Sequence, residues 1–413
     1  MRQAVVLGSP GTKRTVYLEK GAQAAGIVFR LLDWKDFPFE QETSWENLFL
    51  KIDPPLWESC RLDELNALTR DYEGKLQWLA DLGARHQIAF LNRPEAIRAL
   101  LDKRGCKRTL AMAGIPVTEE LEGMGRAEML SEHAVVSEAD TAVEYADGGL
   151  SGAERAEMPG SYGLSGAERA EMPDSCGLSG AERAEMPDSC GLSGANRVEQ
   201  LLDAMERHRV FQVFLKPIYG SGAAGAAAFR WQPHSGRVVL YTCGMVDSVT
   251  GRLVNTKRLR KFTDKNQVFS MVGRLLELDC VAERWYAKAE HDGFSYDLRA
   301  VVQDERMDFL LARLSSGPIT NLHLNNHPLS EEELGLPSHI MDEVEQLCIR
   351  AAECFPGLRS AGIDILLEKG SLRPRIIELN GQGDLIYQDI FDKNKIYRHQ
   401  AEMMKEWMYK NQI

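Results

Sequence analysis

Several features common in other protein classes are missing from this sequence. No apolar run approaches the roughly 18–20 residues that a membrane-spanning helix needs. The N-terminus has one positive charge and a five-residue apolar run, which is too short for a signal peptide. Positive charge is also scarce, since 49 Lys and Arg stand against 61 Asp and Glu and give a net charge of −12. We therefore expect a cytoplasmic protein that binds neither nucleic acid nor a membrane surface.

Familiar catalytic and redox motifs are absent as well. None of the eight cysteines forms a C-x-x-C pair, so we expect reduced thiols. The glycine-containing segment that starts at Gly8 lacks the spacing of a phosphate loop and is typical of a plain strand-to-helix turn. No Ser-His-Asp or Cys-His signature of covalent catalysis is present.

What the chain does have is enough apolar material for two or three lobes. It contains 413 residues, of which 44% are hydrophobic. Residues 1–90 predict a small α/β lobe, with a strand at 4–7, a helix capped by Thr12, a second strand at 27–32 and a long helix near 63–82. We divide the remainder into an N-terminal subdomain at 91–210 and a C-terminal part at 211–413.

An internal repeat at residues 149–195 interrupts the N-terminal subdomain, which spans residues 91–210. The segment Gly-Leu-Ser-Gly-Ala recurs at Gly149, Gly163, Gly177 and Gly191, a period of 14 residues. Each copy has only two sizeable apolar residues, so it cannot bury enough surface to offset its ordering entropy. We expect a flexible surface insertion, with a docking tether for a partner as the alternative.

Two segments have the composition of a nucleotide site. A strand that ends at Lys216 precedes a glycine-rich loop with Gly220, Ser221 and Gly222, where backbone amides could approach phosphates closely. Further on, an apolar strand ends in the carboxylate of Glu283 and is followed by aromatic residues. A ligand-free hairpin and an ordinary strand-end charge remain alternatives for these two segments.

A polar pair follows on the next strand. Asp297 and Arg299 are two residues apart, so they share one face of a strand while Leu298 and Ala300 share the other. Such a pair is usually a surface ion pair of little energetic value. It gains interest because a second strand ends at Arg313 and a polar run that includes Asn321 follows.

The last two strands carry the sharpest pattern. Asp364 lies in one strand, and about a dozen residues later a second strand reads Arg-Ile-Ile-Glu-Leu-Asn from position 375. A period of two places Ile376, Glu378 and Asn380 on one face, so Asp364, Glu378 and Asn380 point to one place across a hairpin. Hard oxygen ligands of this kind suit Mg²⁺, whereas polar strand ends exposed to water are the alternative.

Taken together and in this order, these segments resemble the ATP-grasp superfamily. The likeness covers about residues 91–397 without the repeat. Within the superfamily the motifs are most similar to the ribosomal-protein glutamate ligase group. The shared motifs are Leu91-Asn-Arg-Pro-Glu-Ala-Ile, Asp102-Lys103 with Ala113-Gly-Ile-Pro, Asp297-Leu-Arg299, Asn321-Leu-His323 and Glu378-Leu-Asn380. The resemblance implies an α+β fold of two subdomains that clasp ATP, preceded by a small α/β lobe.

The resemblance also implies a role for each matching position. At the phosphates of ATP, the resemblance implies Lys103, Lys216 and the loop with Gly220, Ser221 and Gly222. Glu283 would contact the ribose, and the backbone of Arg284, Trp285 and Tyr286 would lie beside the adenine. Asp297 is also implied in ATP binding. Arg299, Arg313 and Asn321 would assist the transfer step, and Asp364, Glu378 and Asn380 would bind Mg²⁺, with Mn²⁺ as an alternative. A departure lies after Asn380, where Gly381-Gln-Gly replaces the small-residue turn with proline that relatives often have.

The function implied is that of an ATP-dependent carboxylate–amine ligase. A substrate carboxylate, on a small molecule or a peptide, would take the γ-phosphate, and an amine would then displace phosphate to form an amide. A kinase on the same fold and a non-catalytic nucleotide-binding protein are the alternatives. The identity of the substrates and the oligomeric state, including a homo-oligomer, remain open.

Overall fold

A computed structural model describes residues 2–39, 44–57, 59–122, 194–220, 223–320, 326–382 and 394–410. Residues Met1–Arg126 and Leu192–Ile413 belong to one compact unit. The repeat at 149–195 falls outside the described residues apart from its last two positions. Within the described residues, no helix combines the length and apolar character needed to cross a membrane, and Cys60, Cys106, Cys243, Cys280, Cys348 and Cys354 are free thiols.

The N-terminal lobe is built on a parallel sheet of four strands in the order β2-β1-β3-β4. Its strands are β1 (Gln3–Gly8), β2 (Phe29–Asp33), β3 (Leu48–Ile52) and β4 (Ala89–Phe90). Its helices are α1 (Lys13–Ala25) and α2 (Leu65–His86), with short 3-10 helices at Trp34–Asp36 and Leu62–Glu64. The Thr12 side chain caps α1 as predicted, and Gly26 ends it in a left-handed conformation.

The second sheet is antiparallel and has five strands in the order β8-β7-β6-β5-β9. The strands are β5 (Gln212–Pro217), β6 (Ala227–Gln232), β7 (Arg237–Val246), β8 (Leu253–Phe262) and β9 (Cys280–Arg284). The helices on this sheet are α5 (Gly194–Arg207) and α6 (Lys265–Leu276), whereas α3 (Pro94–Leu101) and α4 (Lys103–Met112) contact the last strand of the third sheet. Apolar residues of α5 and α6 pack on this sheet in one buried cluster.

The third sheet is antiparallel, with the order β13-β12-β11-β14-β15 and β10 paired to β11. Its strands are β10 (Glu290–His291), β11 (Phe294–Gln303), β12 (Arg306–Ser315), β13 (His327–Ser330), β14 (Ser360–Leu367) and β15 (Pro374–Asn380). The helices here are α7 (Glu331–Leu334), α8 (Ser338–Glu353) and the C-terminal α9 (Lys395–Tyr409). The side of the sheet that carries Leu298 and Ala300 packs in a core with α8, while Asp297 and Arg299 face a cavity on the other side, as predicted.

One predicted alternation is wrong in β15. Asp364 pairs with Glu378, but the next residue, Ile365, pairs with Ile376, so Ile377 forms a β-bulge. The extra residue reverses the alternation of side chains at that point. Ile376 therefore packs in the core, and Ile377 lines the cavity together with Glu378 and Asn380.

Candidate active site

One cavity of about 310 Å³ is lined by residues from the second and third sheets and by helix and loop residues of the N-terminal lobe. Most of the residues that the sequence predicted for a nucleotide, metal or transfer role line it. These are Lys103, Lys216, Gly220, Glu283, Arg284, Tyr286, Asp297, Arg299, Arg313, Asp364, Glu378 and Asn380. Ser221, Gly222 and Asn321 lie outside the described residues, and Trp285 is not among the lining residues.

Lys216 and Glu283 line the cavity and form a buried cluster with Lys107, which is not itself a lining residue. Glu283 is 1% exposed, and its carboxylate lies 2.6 Å from Lys107 Nζ and 2.8 Å from Lys216 Nζ. The Thr118 hydroxyl donates to the same carboxylate at 2.9 Å. Glu283 thus holds two ammonium groups in place, and its predicted contact with a ribose stays a prediction.

The charges of this cluster depend on one another. Burial alone raises the pKa of Glu283, but the ammonium groups of Lys107 and Lys216 outweigh it and lower that pKa to about 2. Burial lowers the pKa of Lys107 to about 8, although Glu283 acts in the opposite direction. For Lys216, the carboxylates of Glu283 and Glu378 overcome the effect of burial and raise its pKa. Lys216 therefore remains a cation at neutral pH.

Sequence reasoning missed Lys107, although a signal for it was present. Lys107 follows Lys103 by four residues on α4, and residues at this spacing lie on the same face of a helix. Lys103 itself donates to the carbonyl oxygen of Gly220 and lies 3.5 Å from Glu378 Oε1. Gly220 has a φ of 124°, a conformation that favours glycine, at the start of the predicted phosphate loop.

The third sheet contributes a network of arginines and aspartates from neighbouring strands. Asp297 on β11 is directly opposite Arg313 on β12, and Arg299 on β11 is opposite Asp364 on β14. Arg313 Nε lies 2.7 Å from Asp297 Oδ1, and its Nη2 lies 3.2 Å from Asp364 Oδ2. Arg299 pairs with the other oxygen of Asp364. The sheet register therefore places both guanidinium groups on the same carboxylate.

Lys288 and Thr320 complete this network and were not predicted. Lys288 is 9% exposed, and its Nζ lies 2.6 Å from the Thr320 hydroxyl and 3.5 Å from Asp297. Thr320 in turn donates to Asp297. Burial lowers the pKa of Lys288, against the opposite effect of Asp297. Lys288 lies outside every named strand motif, so the sequence offered no spacing signal for it.

The predicted metal-binding residues lie together at the edge formed by β14 and β15. Asp364 and Glu378 are cross-strand partners, and Asn380 follows on the same side of β15. The side chains of Asp364 and Glu378 are 14% and 24% exposed. Two carboxylates and an amide oxygen at one cavity wall are a donor set that fits Mg²⁺. Among the described residues, no group of three or more His, Cys, Asp or Glu could hold a metal ion, so the set depends on Asn380.

The opposite part of the cavity has aromatic and cationic character. Two guanidinium groups contact the Tyr286 ring, with Arg375 at 4.7 Å and Arg284 at 5.5 Å from its centroid. Trp285 instead packs on Phe214, with ring centroids 5.4 Å apart. The amides of Arg284 and Trp285 already donate to the carbonyl oxygens of Glu119 and Gln212. The amide N–H groups of Arg284 and Trp285 are therefore already used within the protein and are not free to donate to a base.

The N-terminal lobe supplies a wall that sequence reasoning did not anticipate. Arg14, Trp57 and Tyr72 line the same cavity. Gln382, two residues beyond Asn380, accepts a hydrogen bond from the Tyr72 hydroxyl at 2.8 Å and donates to the Ile52 carbonyl at 2.7 Å. The segment that departs from the ATP-grasp pattern thus ties the end of β15, next to Asn380, to the N-terminal lobe.

Solved structures with the same arrangement of elements are ATP-grasp proteins. The ATP-grasp ligase PsnB with minimal precursor, Mg and ADP is 14% identical, with a TM-score of 0.51 over 98% of this chain and 97% of that chain. The macrocyclase MdnC from Microcystis aeruginosa MRC with precursor peptide MdnA is 10% identical, with a TM-score of 0.52 over 98% and 99%. A RiPP-associated ATP-grasp ligase from Chryseobacterium gregarium, with ADP and a leader and core peptide, is 10% identical, with a TM-score of 0.53 over 98% and 97%.

At these identities the likeness establishes the fold. The chain has an ATP-grasp fold, as its sequence predicted. No protein-family model matches the sequence, and no curated protein matches it either.

Proposed function

We propose that this chain is an ATP- and Mg²⁺-dependent carboxylate–amine ligase, which forms an amide through an acyl-phosphate. The observation that carries the proposal is that one cavity combines lysines suited to bind phosphate, two arginines paired with aspartates, and a set of oxygen donors suited to a metal ion. Its walls present seven cationic side chains against four carboxylates in a protein with a net charge of −12. The cations are Arg14, Lys103, Lys216, Arg284, Lys288, Arg299 and Arg313. Such a local excess favours a polyanion such as ATP.

Lys103 and Lys216 are proposed to hold the phosphates of ATP. Lys216 is anchored by Glu283, and Lys103 by the Gly220 carbonyl. Both ammonium groups are therefore preorganised before any ligand binds, which reduces the reorganisation that binding requires. The base would lie near Tyr286, and the solved structures of similar fold that contain ADP support a nucleotide in this cavity.

Asp364, Glu378 and Asn380 are proposed to hold Mg²⁺. When bound there, the ion would neutralise charge on the phosphate oxygens. Arg299 and Arg313 now pair with Asp364 and would turn part of their hydrogen-bonding capacity to the transferring phosphoryl group. The role of Asn321 stays a prediction, since it lies outside the described residues.

The chemistry asks for positioning and charge more than for a protein nucleophile. A substrate carboxylate oxygen attacks the γ-phosphorus, the bond to the β–γ bridging oxygen breaks, and ADP leaves. The amine then attacks the acyl carbon, loses a proton and displaces phosphate. Burial of the arginines and lysines in the cavity wall would strengthen their interaction with developing negative charge.

A peptide is the favoured substrate class. The similar solved structures named above contain precursor or core peptides, which supports a peptide as donor or acceptor here. We also propose the division of the chain into residues 1–90, 91–210 and 211–413, and a particular likeness to the ribosomal-protein glutamate ligase group.

Nucleotide product analysis tests the proposal. Wild-type protein, ATP and Mg²⁺ are incubated with pools of peptides and amino acids, beside Asn380→Ala and a matched control, Asn196→Ala. Asn196 is exposed on α5, away from the cavity. Substrate-dependent release of ADP and phosphate in the wild type and the Asn196 variant, lost in the Asn380 variant, is the expected result. Release of ADP without free phosphate would point to a kinase, and ATP binding without any turnover would point to a binding protein.

A further inference from the structure

The cavity continues beyond the proposed ATP site to the carboxyl ends of β1 and β3. In the N-terminal sheet the chain leaves β1 toward β2 on one side, whereas β3 lies on the other side of β1. The point between β1 and β3 is therefore where the strand order reverses, and open α/β sheets bind ligands in the crevice outside such a point. Arg14, which follows β1, and Trp57, which follows β3, both line the cavity there.

Arg14 carries a positive charge that the described residues do not neutralise. Its guanidinium makes no ion pair or hydrogen bond among them, and its Nε is buried without a partner. The Thr69 hydroxyl, on a residue only 2% exposed that lines the same cavity, also lacks a partner. Buried donors are nearly always satisfied in folded proteins, so two open donors on one wall indicate a ligand that supplies acceptors.

The neighbouring charges do not compensate Arg14. Lys51 and Asp53 are 4% and 6% exposed and pair with each other, so together they are neutral. The second oxygen of Asp53 has no partner. Asp53 and Arg14 both line a smaller cavity of about 20 Å³, which has room for one water, and Arg14 lines the large cavity as well. The other N-lobe residues of the large cavity, among them Trp57 and Tyr72, are uncharged.

We propose that Arg14 and Thr69 form a substrate subsite that binds a carboxylate other than the one that is activated. This inference rests on the proposed ligase function. The planar guanidinium suits bidentate binding of a carboxylate. Arg14, Thr69, Asp364 and Asn380 all line one cavity. Gln382 connects these two parts of the cavity, since it hydrogen-bonds both the Ile52 carbonyl and the Tyr72 hydroxyl. A substrate with two carboxylates would then offer one to the metal edge and one to Arg14.

The second carboxylate could belong to a free amino acid or to an acidic residue of a peptide, and calorimetric titration separates these sources. The first pair of probes is glutamate and its α-amide, isoglutamine. The second pair is the peptide acetyl-Glu-Ala-Glu-amide and its counterpart acetyl-Glu-Ala-Gln-amide. Each pair differs by one carboxylate and keeps another that could be activated. Titrations are made with wild type, Arg14→Gln, Arg14→Lys and the matched control Lys13→Gln, which alters an exposed neighbour on the same helix.

In at least one pair, the wild type and the Lys13 variant are expected to bind the two-carboxylate member about 10- to 100-fold more tightly. Arg14→Gln should abolish this preference and Arg14→Lys should restore part of it, which a misfolded variant could not do. A preference that survives in Arg14→Gln, or no preference in the wild type in either pair, overturns the proposal. Phosphate release is measured in parallel. An Arg14-dependent preference without phosphate release would support the subsite and overturn the ligase function. Phosphate release without an Arg14-dependent preference would overturn the subsite alone.

Discussion

At the scale of single residues, Glu283 shows how a strand-end carboxylate acquires its role from its neighbours. Two lysines from different elements, Lys107 on α4 and Lys216 on β5, contact it. Neither ammonium group could stay charged at such depth without the carboxylate. Glu283 is thus a positioning residue for the cations that we propose to bind phosphate.

Replacement of Glu283 by Gln should therefore destabilise the protein strongly. The neutral amide leaves two buried ammonium groups without their counter-ion, and breaking such a pair costs about 3–5 kcal/mol. Urea denaturation measures the loss. The matched control is Glu119→Gln, because Glu119 is 55% exposed and its ion pair with Arg284 lies at the surface, so its loss should be under about 1 kcal/mol.

The same variant tests the depressed pKa of Glu283. A carboxyl whose folded pKa of about 2 lies below its ordinary value of 4.5 stabilises the fold above pH 4.5. That contribution is lost as pH falls from 4.5 toward 2. The free energy of unfolding of the wild type should therefore fall more steeply in this window than that of Glu283→Gln. If the two curves were parallel, the lysine partners would not lower the pKa of Glu283 in the folded protein.

At the scale of elements, close packing of α1 on α9 depends on a glycine. A Cβ on Gly21 of α1 would lie 2.6 Å from the carbonyl oxygen of Tyr397 on α9, closer than real Cβ contacts come. Gly74 lies in the interior of α2, where a Cβ would meet nothing within 4 Å. The two helical glycines therefore serve different purposes.

Alanine at these two positions should change stability in opposite directions. Gly21→Ala should destabilise by about 1–3 kcal/mol, because backbone atoms must move apart. Gly74→Ala should stabilise by about 0.5–1 kcal/mol, because alanine restricts the unfolded chain and favours the helix. Thermal and urea denaturation of both variants measure the difference, and a stabilised Gly21 variant would contradict the packing of α1 on α9.

At the scale of the whole molecule, charge is distributed unevenly. The chain carries a net charge of −12, yet its central cavity has more cations than carboxylates. Acidic surfaces elsewhere repel ATP, so its attraction to the cavity is a local effect that mobile ions can screen.

ATP affinity should consequently fall as salt rises. Between 0.05 and 0.5 M NaCl, at fixed excess Mg²⁺, the dissociation constant of ATP is expected to rise roughly 3- to 10-fold. Adenosine is the uncharged control, and its dissociation constant should change less than about 2-fold. Equilibrium dialysis measures both ligands. Equal salt effects on ATP and adenosine would argue against cationic phosphate binding in this cavity.

Local sequence patterns determined the elements and the order of the site segments. The Thr12 cap and the shared face of Asp297 and Arg299 follow from residue-level chemistry, which acts over a few positions. The ATP-grasp fold was predicted because several separated motifs had to occur together in order.

Only the tertiary structure decided which distant residues meet. The bulge at Ile377 changed which side of β15 faces the core, since a single extra residue reverses strand alternation. Lys288 and Arg14 line the cavity, and Lys107 contacts the lining residue Glu283, because elements far apart in the chain pack together. The sequence thus determined the type of chemistry, and the packing of two sheets and the N-terminal lobe around one cavity decided which charges take part in it.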